Sequence, residues 1–328
     1  MSEIIDNLRS DLNDVIKDIQ YQNSRLDTCP VSDKDYIMEV ISDDYEDLMD
    51  IQHHLYTEIY KEILLKTEGY LKRNNLKAMV LGISGGLDST VAAFICREIS
   101  DRNPDIKFVA VSLPSKTNGT EENNIADLIV DNLGDIKIKH NIQDVYESFN
   151  TMLNADNNAN SIQLGNIKAR IRMITLYHYA SLYNGVVIDT DNLTEHYLGF
   201  YTIHGDVGDL APISELWKTE VYDLGHYIKN SLVLAKSDVE QEILSKALEI
   251  KPTDGNGLGC DMDQIAPGYS YTEVDAVLKW MFNADDVRTR SVIAKQYFNG
   301  DETMVERIKD RFERTQFKRR ALPHKIIF

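Results

Sequence analysis

A short apolar run that breaks at a glycine turn and restarts as a helix sets the first limit on what this chain can form. Lys77-Ala-Met-Val-Leu-Gly-Ile83 has strand length, Ser84-Gly-Gly86 is a turn, and 88–100 reads as a helix. The unit then recurs. Lys107-Phe-Val-Ala-Val-Ser-Leu113 reads as a second strand ended by Pro114, 120–132 as a helix, and Ile136–Ile138 as the start of a third strand. A long helix at 165–183 leads into Gly185-Val-Val-Ile-Asp189, another buried strand. Apolar strands alternating with helices predict an α/β fold, a doubly wound parallel sheet covered on both faces. Its crossovers should be right-handed, and its ligands should sit at the carboxyl ends of the strands.

The flanks read differently. Residues 1–50 hold 14 acids against four bases, and a weak helical pattern (Ile4, Leu8, Leu12, Val15, Ile19) suggests two short helices around Cys29-Pro30. This acidic extension is set apart from a main domain at 51–328, which starts with a helix at 51–73. After residue 213 helices are expected at about 215–229, 237–249, 272–283, 286–297 and 301–314. The Gly-, Asp- and Pro-rich stretch 251–269 is either a lid or a plain long loop.

Composition excludes several classes. The net charge of −18 opposes binding to nucleic acid or anionic lipid. No apolar run is long enough to span a membrane, and the N-terminus lacks the pattern of a secretory signal. Cys29, Cys96 and Cys260 form no CxxC pair, so neither zinc nor a disulfide framework is suggested and a reducing cytoplasm is expected. The basic segment from Asp310 to Phe328 is either an ordinary solvated tail or a face for polyphosphate.

The chemistry concentrates in Leu81-Gly-Ile-Ser-Gly-Gly-Leu-Asp-Ser-Thr90. Two glycines allow a tight turn and close approach of a ligand. The helix that follows points unpaired N–H groups and its positive dipole end at the turn, which favours an anion. Ser84 and Ser89 add hydroxyl donors. Asp88 would repel phosphate unless a bridging Mg2+ takes oxygens from both. The plain alternative is a turn in which Asp88 caps the helix. The loop is not a Walker A sequence, since no GxxxxGK[ST] occurs.

Ser84-Gly-Gly-Leu-Asp-Ser89 resembles the loop of the PP-loop ATP pyrophosphatases (adenine-nucleotide alpha-hydrolase-like fold), which cleave ATP between its α- and β-phosphates. Three later segments resemble the NAD synthetases of that superfamily: Gly165-Asn-Ile-Lys-Ala-Arg-Ile-Arg-Met173; Thr190-Asp-Asn-Leu-Thr-Glu195 with Leu198-Gly-Phe-Tyr-Thr202; and Gly205-Asp-Val-Gly-Asp-Leu-Ala-Pro-Ile213 with Lys218-Thr-Glu-Val-Tyr222. The resemblance covers about 75–325 and implies an ammonia-dependent ligase that amidates nicotinic acid adenine dinucleotide through an acyl-adenylate, releasing AMP and pyrophosphate. About seventy residues precede the synthetase match, fewer than a glutaminase domain needs, so free ammonia or ammonia from a separate protein is the expected nitrogen source.

The resemblance also implies roles. ATP would be bound by Gly82, Ile83, Ser84, Gly85, Gly86, Leu87, Asp88, Ser89, Arg172, Thr190, Lys218, Thr253 and Lys318; Mg2+ by Asp88 and Glu195; the dinucleotide by Asn166, Arg170, Phe200, Asp206 and Asp209. Asp206 or Asp209 is the candidate base that takes a proton from ammonia, and Lys218 the catalytic cation. A homodimer is implied. Four features depart from the pattern. Asp189 replaces a usual glycine, where a carboxylate would crowd or repel ATP or bind metal. Phe317 replaces His or Tyr, Ile162 replaces an aromatic, and the Gly205–Asp209 loop is a residue shorter than the usual one. The alternatives are another ammonia-using PP-loop ligase or a nucleotide-binding regulator without catalysis.

Overall fold

The structure is a computed structural model and describes residues 3–26, 33–154, 159–233, 237–251, 265–284 and 286–319. The chain divides into two compact units, 1–66 and 67–328. The first consists of α1 (Glu3–Leu26) and most of α2 (Lys34–Arg73), which runs on into the second unit. The two short helices expected within 1–50 are therefore one 24-residue helix and the first part of a 40-residue one. No proline interrupts 34–73, and its one glycine, Gly69, falls in the last turns, so the expected start at 51 is the interior of a continuous helix.

The second unit carries the sheet. Its elements are β1 (Ala78–Gly82), α3 (Leu87–Arg102), β2 (Lys107–Ser112), α4 (Thr120–Leu133), β3 (Ile136–Lys139), α5 (Gln143–Leu153), α6 (Ser161–Leu182) and β4 (Gly185–Ile188). The four strands are parallel in the order β3-β2-β1-β4. Alternation sorts the strand residues by face. Ala78, Val80, Val109, Val111 and Val187 pack with Ile142, with Tyr146 of α5 and with Ile171, Leu176 and Ala180 of α6. Met79, Leu81, Phe108 and Ala110 take the opposite face and are fully buried, with α3 and α4 packed on strands β1 and β2. This is the doubly wound arrangement expected. The sequence reading did not identify α5, whose buried residues are only Tyr146 and Asn150.

The order places a switch point between β1 and β4, because the chain leaves β1 toward β2 and β3 and returns on the other side at β4. The loops after β1 and β4 flank that crevice, where doubly wound sheets bind ligands. Beyond it come α7 (Leu193–Leu198), α8 (Lys218–Tyr227) running into a π-helical segment Ile228–Val233, α9 (Asp238–Glu249), α10 (Tyr271–Phe282), α11 (Arg290–Tyr297) and α12 (Glu302–Arg314). Leu198 of α7 joins a second core with Val274, Val277 and Leu278 of α10, Ile293 of α11 and Val305 and Ile308 of α12. That core holds α7 at the mouth of the crevice. Residues 252–264, most of the expected lid stretch, lie outside the described residues.

Candidate active site

The loop after β1 is shaped by its glycines. Gly85 has φ +87°, and a Cβ there would lie 2.0 Å from the carbonyl oxygen of Glu122. Only glycine fits both the left-handed backbone and the close approach of α4. Gly86 is the N-cap of α3 and provides no side-chain cap, so that helix start is left for a ligand. The Ser84 and Ser89 hydroxyls lie 3.0 Å apart. The Gly86 amide donates to Ser84 Oγ at 3.2 Å, and Ser89 Oγ donates to the Gly86 carbonyl at 3.0 Å. The turn is thus braced by its own serines.

Across the switch point, Asn192 joins the two loops. It caps α7 by accepting from the Glu195 amide at 3.0 Å, while Glu195 Oε2 accepts from the Asn192 amide at 3.2 Å. The Asn192 Nδ2 donates to Asp88 Oδ1 at 2.9 Å. Lys218, the first residue of α8, pairs with the other oxygen of Asp88 and lies 3.8 Å from Glu195 Oε1. Lys218 is 2 % exposed, so its charge is paired inside the protein. Burial pulls its pKa down, but the Asp88 and Glu195 carboxylates outweigh burial and hold it above the ordinary lysine range. Its Nζ also lies 5.5 Å from the centre of the Tyr271 ring. Two hard carboxylates thus converge on one cation. Such a donor pair suits Mg2+, which binds through one or two carboxylates together with phosphate oxygens and water. Among the described residues no three His, Cys, Asp or Glu side chains form a metal cage.

These groups line a cleft of about 640 Å³. Its walls include Gly82, Ile83, Ser84, Gly86, Leu87, Asp88, Ser89, Asn166, Arg172, Thr190, Glu195, Phe200, Asp206, Lys218 and Lys318, all expected from sequence. Gly85 shapes the loop from behind. Thr253 lies outside the described residues.

The two arginines of α6 diverge, as their spacing requires. Arg172 faces the cleft and donates to the Leu113 carbonyl at 3.1 Å and to Asn118 Oδ1 at 3.2 Å. Arg170 is exposed, does not line the cleft, and donates to the Ile203 carbonyl at 3.1 Å. Asn166 accepts from the Thr202 hydroxyl at 2.7 Å and so steadies the loop that carries Asp206.

The two candidate bases also separate. Asp206 opens onto the cleft and accepts from the Thr202 amide at 2.6 Å. Desolvation raises its pKa to about 6, and the Asp189 charge adds to the rise. Asp209 points elsewhere: it accepts from the Tyr177 hydroxyl at 2.6 Å and from the Val187 amide at 3.3 Å, closing the edge of β4.

Asp189 does not crowd the cleft. It is 5 % exposed and turns back to accept from the Asp191 amide at 2.9 Å, a local turn that costs no room in the site. Burial raises its pKa to about 6, and the Asp209 charge adds to the rise. Ile162 and Phe317 are exposed and line the cleft.

Basic residues from the C-terminal segment complete the wall. Lys318 Nζ donates to the Gly199 carbonyl at 2.6 Å and to the Tyr201 carbonyl. Burial lowers its pKa, and neighbouring Arg311 adds to the shift. Arg311 donates to the Leu198 carbonyl at 2.8 Å and stacks 4.5 Å from the Phe200 ring centre. The basic face suggested by sequence therefore turns to the cleft through Arg311, Arg314 and Lys318. Asn118, Asp191, Asn192 and Tyr271 were not individually legible in the sequence. Asn192 sits inside a motif that was read, and helix-capping chemistry could have promoted it.

The family model described as NAD synthase matches residues 59–322. An NH(3)-dependent NAD(+) synthetase from Fusobacterium nucleatum is 30 % identical over 80 % of this chain and 93 % of its own. One from Thermoplasma volcanium is 36 % identical over 64 % of this chain and 78 % of its own. Among solved structures, an NMN synthetase from Francisella tularensis superposes with a TM-score of 0.65 at 26 % identity, covering 83 % of this chain and 99 % of that one. An NH3-dependent NAD synthetase from Campylobacter jejuni gives 0.62 at 25 % identity over the same shares. The family model spans most of the chain and the Fusobacterium relative is covered almost end to end, so the chain belongs to the NAD synthase family.

Proposed function

We propose that the chain amidates nicotinic acid adenine dinucleotide to NAD with ATP and ammonia, forming a C–N bond through an acyl-adenylate. The observation that carries this reading is the convergence of Asp88, Glu195 and Lys218 beside the Ser84–Ser89 loop in one cleft. The substrate carboxylate attacks the α-phosphorus of ATP, and pyrophosphate leaves toward the loop and the start of α3. Ammonia then attacks the carbonyl of the adenylate, and the carbon–oxygen bond to AMP breaks. Both substrates are anionic, so cations must offset their repulsion. Lys218 and Arg172 supply fixed positive charge on the cleft wall. Asp88 and Glu195 would hold Mg2+, which supplies charge neutralisation to the phosphates when bound. Lys218 lies on the same wall and would pair there with phosphate oxygens.

Asp206 is the proposed proton acceptor. It faces the cleft with a pKa near neutrality, where a base works best. Asp209 is assigned instead to anchoring the 205–213 loop on β4.

The likeness to the Francisella NMN synthetase supports a second acceptor, nicotinic acid mononucleotide. Parallel assays with both nucleotides separate the two readings: the dinucleotide should have the higher kcat/KM, and the reverse ranking would replace it as substrate. Residues 51–328 are the proposed synthetase domain and 1–50 an accessory extension, in a cytoplasmic homodimer. Exposed Met152 and Leu153 on α5 and Ile174 on α6 support pairing of two copies, which sedimentation of the purified chain tests.

A further inference from the structure

The groups that meet ATP are held by a carboxylate that lies outside the cleft lining described above. Asp275, in the middle of α10, is 1 % exposed. Its Oδ1 accepts from the Thr194 hydroxyl at 2.6 Å, and its Oδ2 accepts from the Thr219 amide at 2.9 Å. The same Thr194 oxygen accepts from the Lys218 amide at 2.9 Å. Thr194 is fully buried and immediately precedes Glu195. The first two amides of α8, which have no partners within the helix, are thus caught by one side chain from α7 and one from α10. A single carboxylate fixes the backbone of Lys218 relative to that of Glu195. Tyr271, one turn earlier on α10, brings its ring to Lys218 Nζ from the same helix.

We propose that Asp275, acting through Thr194, is a positioning residue that sets the reach of Lys218 toward the ATP phosphates. The assignment rests on the amidation reading for the step it affects. It follows from connectivity: Asp275 touches the backbone amide of α8 and the hydroxyl that receives the Lys218 amide. Removing the carboxylate frees the Thr219 amide and the Thr194 hydroxyl that receives the Lys218 amide, and lets the start of α8 shift. A displacement of about 1 Å at a positioning group can cost on the order of 100-fold in rate. Asn keeps one acceptor for the Thr219 amide and turns its NH2 to Thr194 Oγ, so it should retain most of the function.

The experiment compares Asp275→Ala, Asp275→Asn and Thr194→Val with the wild type in turnover and in Mg–ATP affinity by calorimetry, with circular dichroism to establish folding. Asp275→Ala should lower kcat roughly 100-fold and weaken ATP roughly 10-fold, with the KM for the pyridine nucleotide within twofold. Asp275→Asn should stay within about fivefold of wild type, and Thr194→Val should fall between. In a Lys218→Ala background, Asp275→Ala should add less than about twofold, because its effect passes through Lys218. A folded Asp275→Ala with wild-type kcat and ATP affinity, or losses that multiply in the double variant, would overturn the proposal. If Asp275→Ala fails to fold, Thr194→Val, which keeps the side-chain volume, decides on the same criteria. A wild type that forms no amide sinks the amidation reading alone, since ATP affinity across the same variants still decides the positioning role.

Discussion

Gly85→Ala tests the loop geometry most severely. Its φ of +87° costs an L-residue roughly 1–2 kcal/mol. The added Cβ would meet the Glu122 carbonyl oxygen at 2.0 Å, and that atom is backbone, so no side chain can swing aside. Relieving the overlap requires the loop or α4 to move by roughly 1 Å or more, an overpacking cost of about 1–3 kcal/mol. The total is about 3 kcal/mol, which at ~2–4 °C per kcal/mol lowers Tm by about 6–12 °C. Gly86→Ala is the control. There φ is −78°, and the nearest atom to a new Cβ is Ser84 Oγ at 3.4 Å. Only N-cap preference is lost, below about 1 kcal/mol. Gly86 does line the cleft, so its variant should show itself in the KM for ATP instead. Scanning calorimetry reads the stabilities, and pyrophosphate release reads the catalytic cost, about 100-fold for Gly85→Ala if the loop shifts by 1 Å. Equal melting temperatures for the two variants, or wild-type turnover in Gly85→Ala, would refute the steric argument.

The remaining expectations use the same geometry. Arg172→Ala should raise the KM for ATP about 10-fold, while Arg170→Ala should change steady-state kinetics less than about threefold, because only Arg172 faces the cleft. Asp88→Asn and Glu195→Gln should each cut turnover at least about 100-fold and weaken Mg2+-dependent ATP binding in calorimetry, since each removes one of two carboxylates. Asp189 has its folded pKa raised from 3.8 to about 6, so the native state binds its proton more tightly than the unfolded chain and stability falls as pH rises between those values. Asp189→Asn should therefore stabilise the protein at pH 7.5 by about 1–3 kcal/mol, with the gain vanishing near pH 4, as denaturation without Mg2+ at the two pH values would show.

Periodicity made the sheet legible. Strands buried on both faces leave continuous apolar runs, and the ends of β1, β2 and β4 fall within a residue or two of the expected limits. α5 was not legible because its buried stripe is only Tyr146 and Asn150. The union of 34–73 into one helix was not legible because the acidic composition before residue 50 suggested a helix break there that the backbone does not have. At the site, Gly-rich turn and helix start made the Ser84–Ser89 loop readable from local chemistry. Helix geometry gave the divergence of Arg170 and Arg172 but not which one faces inward. Asp206 and Asp209 lie in one irregular loop, where no period separates a cleft wall from a strand edge. Asp275 is 81 residues from the Thr194 it holds, and a bond of that kind leaves no local trace.

Activation of the substrate carboxylate by transfer of AMP leaves an oxygen atom that can be followed. The direct measurement is to supply nicotinic acid adenine dinucleotide labelled with oxygen-18 in its carboxylate, together with ATP, Mg2+ and ammonium, and to analyse every product by mass. An acyl-adenylate route yields NAD, AMP and pyrophosphate in equal amounts, with one labelled oxygen in AMP and none in pyrophosphate. Label in inorganic phosphate or in pyrophosphate, or no amide from folded protein that binds ATP, would contradict it.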